Sequence, residues 1–160
     1  MIRRVATDDL MTALDGAGVA YELLPHSHTE SAAAEAEALG LSPADVAKTL
    51  VVATPDGYTR AVLPADCRVD MHKLRELLDV GKKKTHLATE DDLRRDYPDF
   101  ELGAVPPLGG ARKDPVIVDS RLAERGSIVL EAGSHEQSVR LSAPDLVRAA
   151  DAQVADICQD

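Results

Sequence analysis

Four aromatic residues in 160 (three Tyr, one Phe and no Trp) leave this chain without the stacked-ring surface on which RRM and OB-fold proteins hold bases. Bases are also outnumbered. There are 18 Lys or Arg against 28 Asp or Glu, a formal net charge of −10, so broad binding of a duplex by counterion release over the whole surface is excluded. No run of 18 apolar residues exists, so the sequence holds no membrane-spanning helix. Two cysteines, Cys67 and Cys158, make no disulfide framework. Arg3 and Arg4 are followed by Asp8 and Asp9 rather than by an apolar stretch, which does not read as a signal peptide, and the cytoplasm is the expected compartment.

Apolar residues make up 44% and charged residues 29%, the balance of a folded chain, and the length suits one domain over residues 1–160. Local signals divide it into short elements. Thr7 caps an opening helix over 7–14 that Gly16 stops, and 19–24 reads as a strand. Ser31–Ala38 is rich in Ala and Glu, with Thr29 or Ser31 as cap and Gly40 as stop. Ser42-Pro43-Ala44-Asp45 opens a short turn of helix, and the β-branched run 48–54 pairs with 58–63 across Pro55-Asp56-Gly57. Asp70 and Thr89 each cap a helix, the second ending before Pro98. Strands are expected over 115–118, 127–131 and 138–141, and Ser142 caps a last helix. Helices and strands without regular alternation predict an α+β domain, a mixed central sheet flanked by helices.

The common catalytic signatures are missing. There is no G-x-S-x-G, no P-loop, no G-x-G-x-x-G and no C-x-x-C, and a lone Cys67 near His72 reads as a core filler. His26 and His28, two apart on an extended segment, face one way and either reach a common ion, line a polar pocket or sit in a surface loop. Lys48 falls on the same strand face as Leu50 and Val52. It either snorkels from the strand end or stands as a cation at the rim of a pocket, ready for a phosphate, carboxylate or ribose. The Gly- and Pro-rich stretch Gly103–Gly110 is either a long connection or a backbone cradle whose N–H groups hold a carbonyl oxygen.

Taken in order, Leu39-Gly40-Leu41, Asp45–Val52 with its V-x-K-T-L core, Gly103-x-x-x-Pro107-Leu108-Gly109, Val116–Asp119 and Leu141–Leu146 resemble the YbaK family, relatives of the editing insertion domain of bacterial prolyl-tRNA synthetases. The resemblance runs over nearly the whole chain and implies a curved mixed sheet. It implies hydrolysis of the ester of a mischarged tRNA in trans, of the Cys-tRNA(Pro) or Ala-tRNA(Pro) type. No metal, cofactor or protein nucleophile is expected, and water or the substrate's own hydroxyl or thiol attacks. Lys48 matches the family's essential lysine beside the terminal adenosine, and Gly103 and Pro107 match the loop that holds the ester carbonyl.

By the same resemblance, Thr49, Ala104, Val105, Pro107, Gly109, His135 and Asp119 contribute to substrate binding, and His26 and His28 are counted with them on the polar-pocket reading of that pair. Asp119 is equally readable as a turn cap. The partners implied are the acceptor end of tRNA and prolyl-tRNA synthetase. The alternative is a non-catalytic module of the same fold that binds a tRNA end, a nucleotide or a synthetase. Residues 60–113 hold eleven Lys or Arg against ten Asp or Glu. Lys82-Lys83-Lys84, Arg94-Arg95 and Arg112-Lys113 read first as a solvated face and otherwise as a basic lip beside the loop that touches only the acceptor end. With so few rings, the terminal adenine is expected to rest on aliphatic and backbone groups.

Overall fold

The computed structural model describes residues 8–80 and 84–160. Helices α1 (Asp8–Gly16), α2 (Ala32–Leu39), α3 (Met71–Leu78), α4 (Glu90–Asp96), α5 (Ser120–Ala123) and α6 (Ala143–Ala149) are set among eight strands. These are β1 (Glu22–Pro25), β2 (Val46–Thr54), β3 (Gly57–Pro64), β4 (His86–Leu87), β5 (Val116–Asp119), β6 (Ser127–Ser134), β7 (Gln137–Ser142) and β8 (Gln153–Ala155).

The caps read from the sequence are formed. Ser31 Oγ accepts from the Ala34 N–H, and Gly40 closes α2 in the left-handed region at φ 68°. The Asp70 side chain accepts from the His72 and Lys73 N–H groups, and Thr89 with Asp92 makes a reciprocal capping box. Ser42 turns the chain through a single 3₁₀ turn, Pro43–Asp45, and β2 then begins at Val46, two residues before the expected strand. The Thr7 cap lies outside the described residues.

The strands form one mixed sheet in the order β1-β7-β6-β2-β3-β5-β8, with β4 also on β2. This is the expected α+β arrangement. The β2–β3 hairpin is antiparallel, whereas β2–β6, β3–β5 and β5–β8 are parallel. Leu10 and Leu14 of α1, Leu122 of α5 and Leu146 of α6 bury themselves against Ala47, Val62, Val118 and Leu130 on one face. Leu74 of α3 packs on Val52, Leu63 and Ile117, and Ala36 of α2 on Val46 and Val129, on the other. Fully buried Leu and Ile side chains of this kind contribute about 1.5–3 kcal/mol each.

The sheet is irregular along one side of β2. On the edge away from β3, Val46 and Ala47 pair with Val129 and Leu130 of β6, and Val52 and Ala53 pair with β4. Residues 48–50 between these attachments have no strand partner on that side. The ladder opens because β6 leaves β2 after Leu130. Its register with β7 shifts between Glu131 and Ser134, and Gly133 takes φ 86°, a backbone state that suits glycine. The strand then turns through His135 and Glu136 into β7.

Candidate functional site

Lys48 and Thr49 sit in this opening. Strand alternation places Thr49 with Val51 on one face, and Lys48 with Val46 and Leu50 on the face that α2 covers. Lys48 is half-buried and makes no ion pair among the described residues. Extending the parallel ladder by one residue sets Lys48 beside Glu131, where the two strands part.

Thr49, Leu50 and Val51 form the floor of a cavity of about 170 Å³. Leu87, Ala88 and Leu93 wall it, and Gly103 and Val105 of the glycine–proline loop close it. The lining is almost wholly aliphatic. Gly103 is exposed, with φ 84°. A Cβ built on it would stand 3.6 Å from His135 Cε1 and 3.8 Å from Nε2, so the loop and the β6–β7 turn touch at this glycine.

The rest of the loop points elsewhere. Ala104, Val105 and Pro107 are buried, and Pro107, Leu108, Gly109 and Gly110 line a second cavity near Ala13 and Ala149. The loop is pinned by Arg60, which is 1% exposed. Its Nη1 donates to the Pro106 carbonyl at 2.9 Å, and its Nη2 to the carbonyls of Gly109 at 3.0 Å and Arg112 at 3.2 Å. Its Nε meets Asp114 at 3.3 Å, and the Tyr97 hydroxyl donates to the same carboxylate at 2.5 Å. A buried cation with every arm satisfied fixes a loop that has no regular hydrogen bonding of its own.

The three histidines gather at the β6–β7 turn, each with its own partners. His135 is 5% exposed; its Nε2–H donates to the Leu102 carbonyl at 2.6 Å, and its backbone N–H to Glu101 Oε2 at 2.8 Å. His28 stacks edge-on against His135 with centroids 5.3 Å apart, and its Nε2 meets Glu30 Oε1 at 2.5 Å. His26 Nε2 lies 2.8 Å from Ser138 Oγ, which hydrogen-bonds Glu35 Oε2. His26 and His28 thus do not converge on one point, and no group of three His, Cys, Asp or Glu among the described residues is placed to hold a metal ion.

Sequence reasoning passed over the carboxylates behind these histidines. Glu35 is fully buried, and burial pushes its carboxyl up to about 7, against the pull of the Ser138 hydrogen bond and of His135. Glu131 is raised to about 8, first by burial and then by the neighbouring charges of Glu35, Glu101 and Glu30. The Ser138 hydroxyl, which donates to Glu35 and lies beside His26 Nε2, thus links the buried carboxyl to a partly exposed imidazole. A signal for Glu35 existed: it falls on the stripe Ala32, Ala36, Leu39, the buried face of α2.

The basic lip expected beside the loop is not a free patch among the described residues. Arg94 pairs with Glu90 and Asp91, Arg95 with Asp92 and Asp96, and Arg112 with Asp114. The acids that open α4 at i−3 and i−4 take up the charge the sequence counted as available. Lys82 and Lys83 lie outside the described residues, while Lys84 and Lys113 are exposed. Asp119 is fully buried and stands apart from the loop and the histidines. It caps α5 through the Arg121 N–H at 3.0 Å and accepts from the Ile157 N–H at 2.9 Å.

Comparison with known proteins places this arrangement. Residues 26–149 match the family described as the aminoacyl-tRNA editing domain. A solved structure described as a candidate trans-editing enzyme for prolyl-tRNA synthetase superposes with a TM-score of 0.85 at 24% identity, covering 99% of this chain and 100% of that one. A second, the hypothetical protein APE2540, gives 0.85 at 26% identity, covering 94% and 99%.

Proposed function

Because the chain belongs to the aminoacyl-tRNA editing domain family, we propose that it removes the amino acid from mischarged tRNA by hydrolysing the aminoacyl ester, acting in trans on a small residue such as Cys or Ala carried by tRNA(Pro). The observation that carries this reading is the meeting of Gly103 with His135 over the cavity floored by Thr49.

An aminoacyl ester is already activated, so positioning and charge stabilisation matter more than a strong base. Lys48, half-buried and without an ion pair among the described residues, supplies a cation for the phosphate of the terminal adenosine. The Gly103 end of the loop, held by Arg60 through Pro106, offers backbone N–H groups to the developing oxyanion. Leu50, Val51, Leu87, Leu93 and Val105 give an apolar surface for the adenine, in keeping with a chain short of aromatics. No protein nucleophile is assigned; water or the substrate's own side chain attacks.

The arginines near the loop are already paired, so affinity rests on few phosphate contacts and is helped by a synthetase partner. The setting is the cytoplasm, where translation occurs, and the single unit spans residues 1–160. The test is turnover on a panel of mischarged tRNAs, with tRNA binding measured alongside. Release of Cys or Ala from tRNA(Pro) is the expected result. Binding without release across the panel would overturn the catalytic reading in favour of a binding module.

A further inference from the structure

The glycine–proline loop begins with a tight turn whose central peptide is held from one side. The Ala104 N–H donates to the Glu101 carbonyl at 2.9 Å, closing a turn over Glu101, Leu102, Gly103 and Ala104. Gly103, third in that turn, has φ 84°, while Leu102 is not among the non-glycine residues of positive φ. This combination is a type II turn. Types I and II differ by a flip of the central peptide, here the one that joins Leu102 to Gly103.

His135 grips that peptide. Its Nε2–H donates to the Leu102 carbonyl at 2.6 Å, and its ring lies against Gly103. Two further bonds tie this turn to the β6–β7 turn. The His135 N–H donates to Glu101 Oε2 at 2.8 Å, and the Glu101 N–H donates to the Gly133 carbonyl at 2.9 Å. The other ring nitrogen, Nδ1, stands 3.5 Å from Glu131 Oε2. A Glu131 carboxyl kept protonated by burial presents its O–H there, which leaves the ring proton on Nε2.

The Leu102–Gly103 peptide is trans, so its C=O and N–H point opposite ways. With the Leu102 oxygen turned to the imidazole, the Gly103 N–H is turned away from it. That N–H has no hydrogen-bond partner among the described residues. Gly103 lines the aliphatic cavity, and the imidazole is not among its walls. We propose that His135 is a positioning residue, which through the Leu102 carbonyl holds the Gly103 N–H toward the cavity as a donor to the ester oxyanion. This rests on the deacylase reading above. The bond to Leu102 also polarises the peptide and strengthens its N–H as a donor. A flipped, type I turn would aim the Leu102 carbonyl oxygen at the cavity instead, the wrong sign of dipole for an oxyanion.

The test separates a donor at this place from its absence. His135→Gln keeps an N–H for the Leu102 carbonyl, whereas His135→Leu and His135→Met fill much the same space without one. In wild type the NOE between Leu102 Hα and the Gly103 N–H is expected to be strong, the mark of the type II peptide. It should weaken in the Leu and Met variants and return in the Gln variant. Deacylation of Ala-tRNA(Pro) and Cys-tRNA(Pro) is measured alongside. In the Leu and Met variants kcat should fall by about tenfold or more at unchanged KM, and His135→Gln should recover most of that loss. An unchanged NOE in the variants without a donor would overturn the proposal, since the turn would then keep its peptide without His135. A raised KM at unchanged kcat, or an altered preference between Ala and Cys, would also overturn it and make the ring a wall of the pocket. If wild type turns over no mischarged tRNA, the deacylase reading fails, and the oxyanion role with it, whatever the NOE shows.

Discussion

Arg60 donates to the Pro106 carbonyl at 2.9 Å from a position that is 1% exposed, so a buried cation on a central strand sets the path of a loop more than forty residues away in sequence. Removing the guanidinium leaves the carbonyls of Pro106, Gly109 and Arg112 and the Asp114 carboxylate without their donor. Arg60→Met is expected to cost about 3–5 kcal/mol, read from the urea midpoint. Arg60→Lys, with one point charge in place of a fork, recovers only part of it. A loss below about 1 kcal/mol for Arg60→Met would show that the loop holds its shape without this residue.

Lys48 is different in kind. It has no ion pair to lose among the described residues, so Lys48→Ala is expected to change stability by only about 0.5 kcal/mol. Deacylation should fall by about 10–100-fold in kcat/KM, the worth of one hydrogen bond to a charged group. Wild-type turnover by this variant on Cys- and Ala-tRNA(Pro) would remove Lys48 from the mechanism.

The two glycines of the loop separate shape from chemistry. Gly109 has φ 93°, and a Cβ there would stand 2.8 Å from the Asp9 carbonyl oxygen and 3.2 Å from Leu10 Cα, both backbone atoms that cannot yield cheaply. Gly109→Ala is expected to lower stability by about 2 kcal/mol or more. Gly103 meets only the His135 ring at ordinary contact distance, so Gly103→Ala carries the left-handed strain alone, about 1–2 kcal/mol. Its larger effect should fall on kcat. Equal thermal shifts for the two variants would contradict the geometry.

The buried glutamates make a prediction about pH. Glu35 and Glu131 are raised from the ordinary 4.5 to about 7 and about 8 in the folded chain. Between these limits the native state binds more protons than the unfolded one, so their contribution to stability falls as pH rises from about 4.5 to about 8 and is level above that. Glu35→Gln and Glu131→Gln should each flatten that slope. A wild-type unfolding midpoint that rises steadily over this window, with neither variant altering it, would contradict the protonated state of the pair.

Much of the fold was readable residue by residue because it is locally encoded. Ser31, Ser42, Asp70, Thr89 and Ser142 all cap as their spacing says. The elements that escaped are β4, α5 and β8, of two to four residues each, held by pairing with distant strands or by packing rather than by their own pattern. The site divides the same way. Lys48, Gly103 and His135 were visible as residue types in order. Glu131 and Ser138 become neighbours only through the β6–β7 ladder. The arginines of the expected basic lip were counted as charges, without the acids one helical turn before them.

The shortage of aromatics has a practical side. With no Trp, the near-ultraviolet emission of this protein is that of its three tyrosines. Two of them, Tyr58 and Tyr97, stand 5.5 Å apart beside the loop anchor, with Arg112 over both rings and Arg60 over Tyr97. The chain thus carries an intrinsic optical reporter beside the Arg60 anchor of its glycine–proline loop, and loss of that anchor is readable in tyrosine emission without a label.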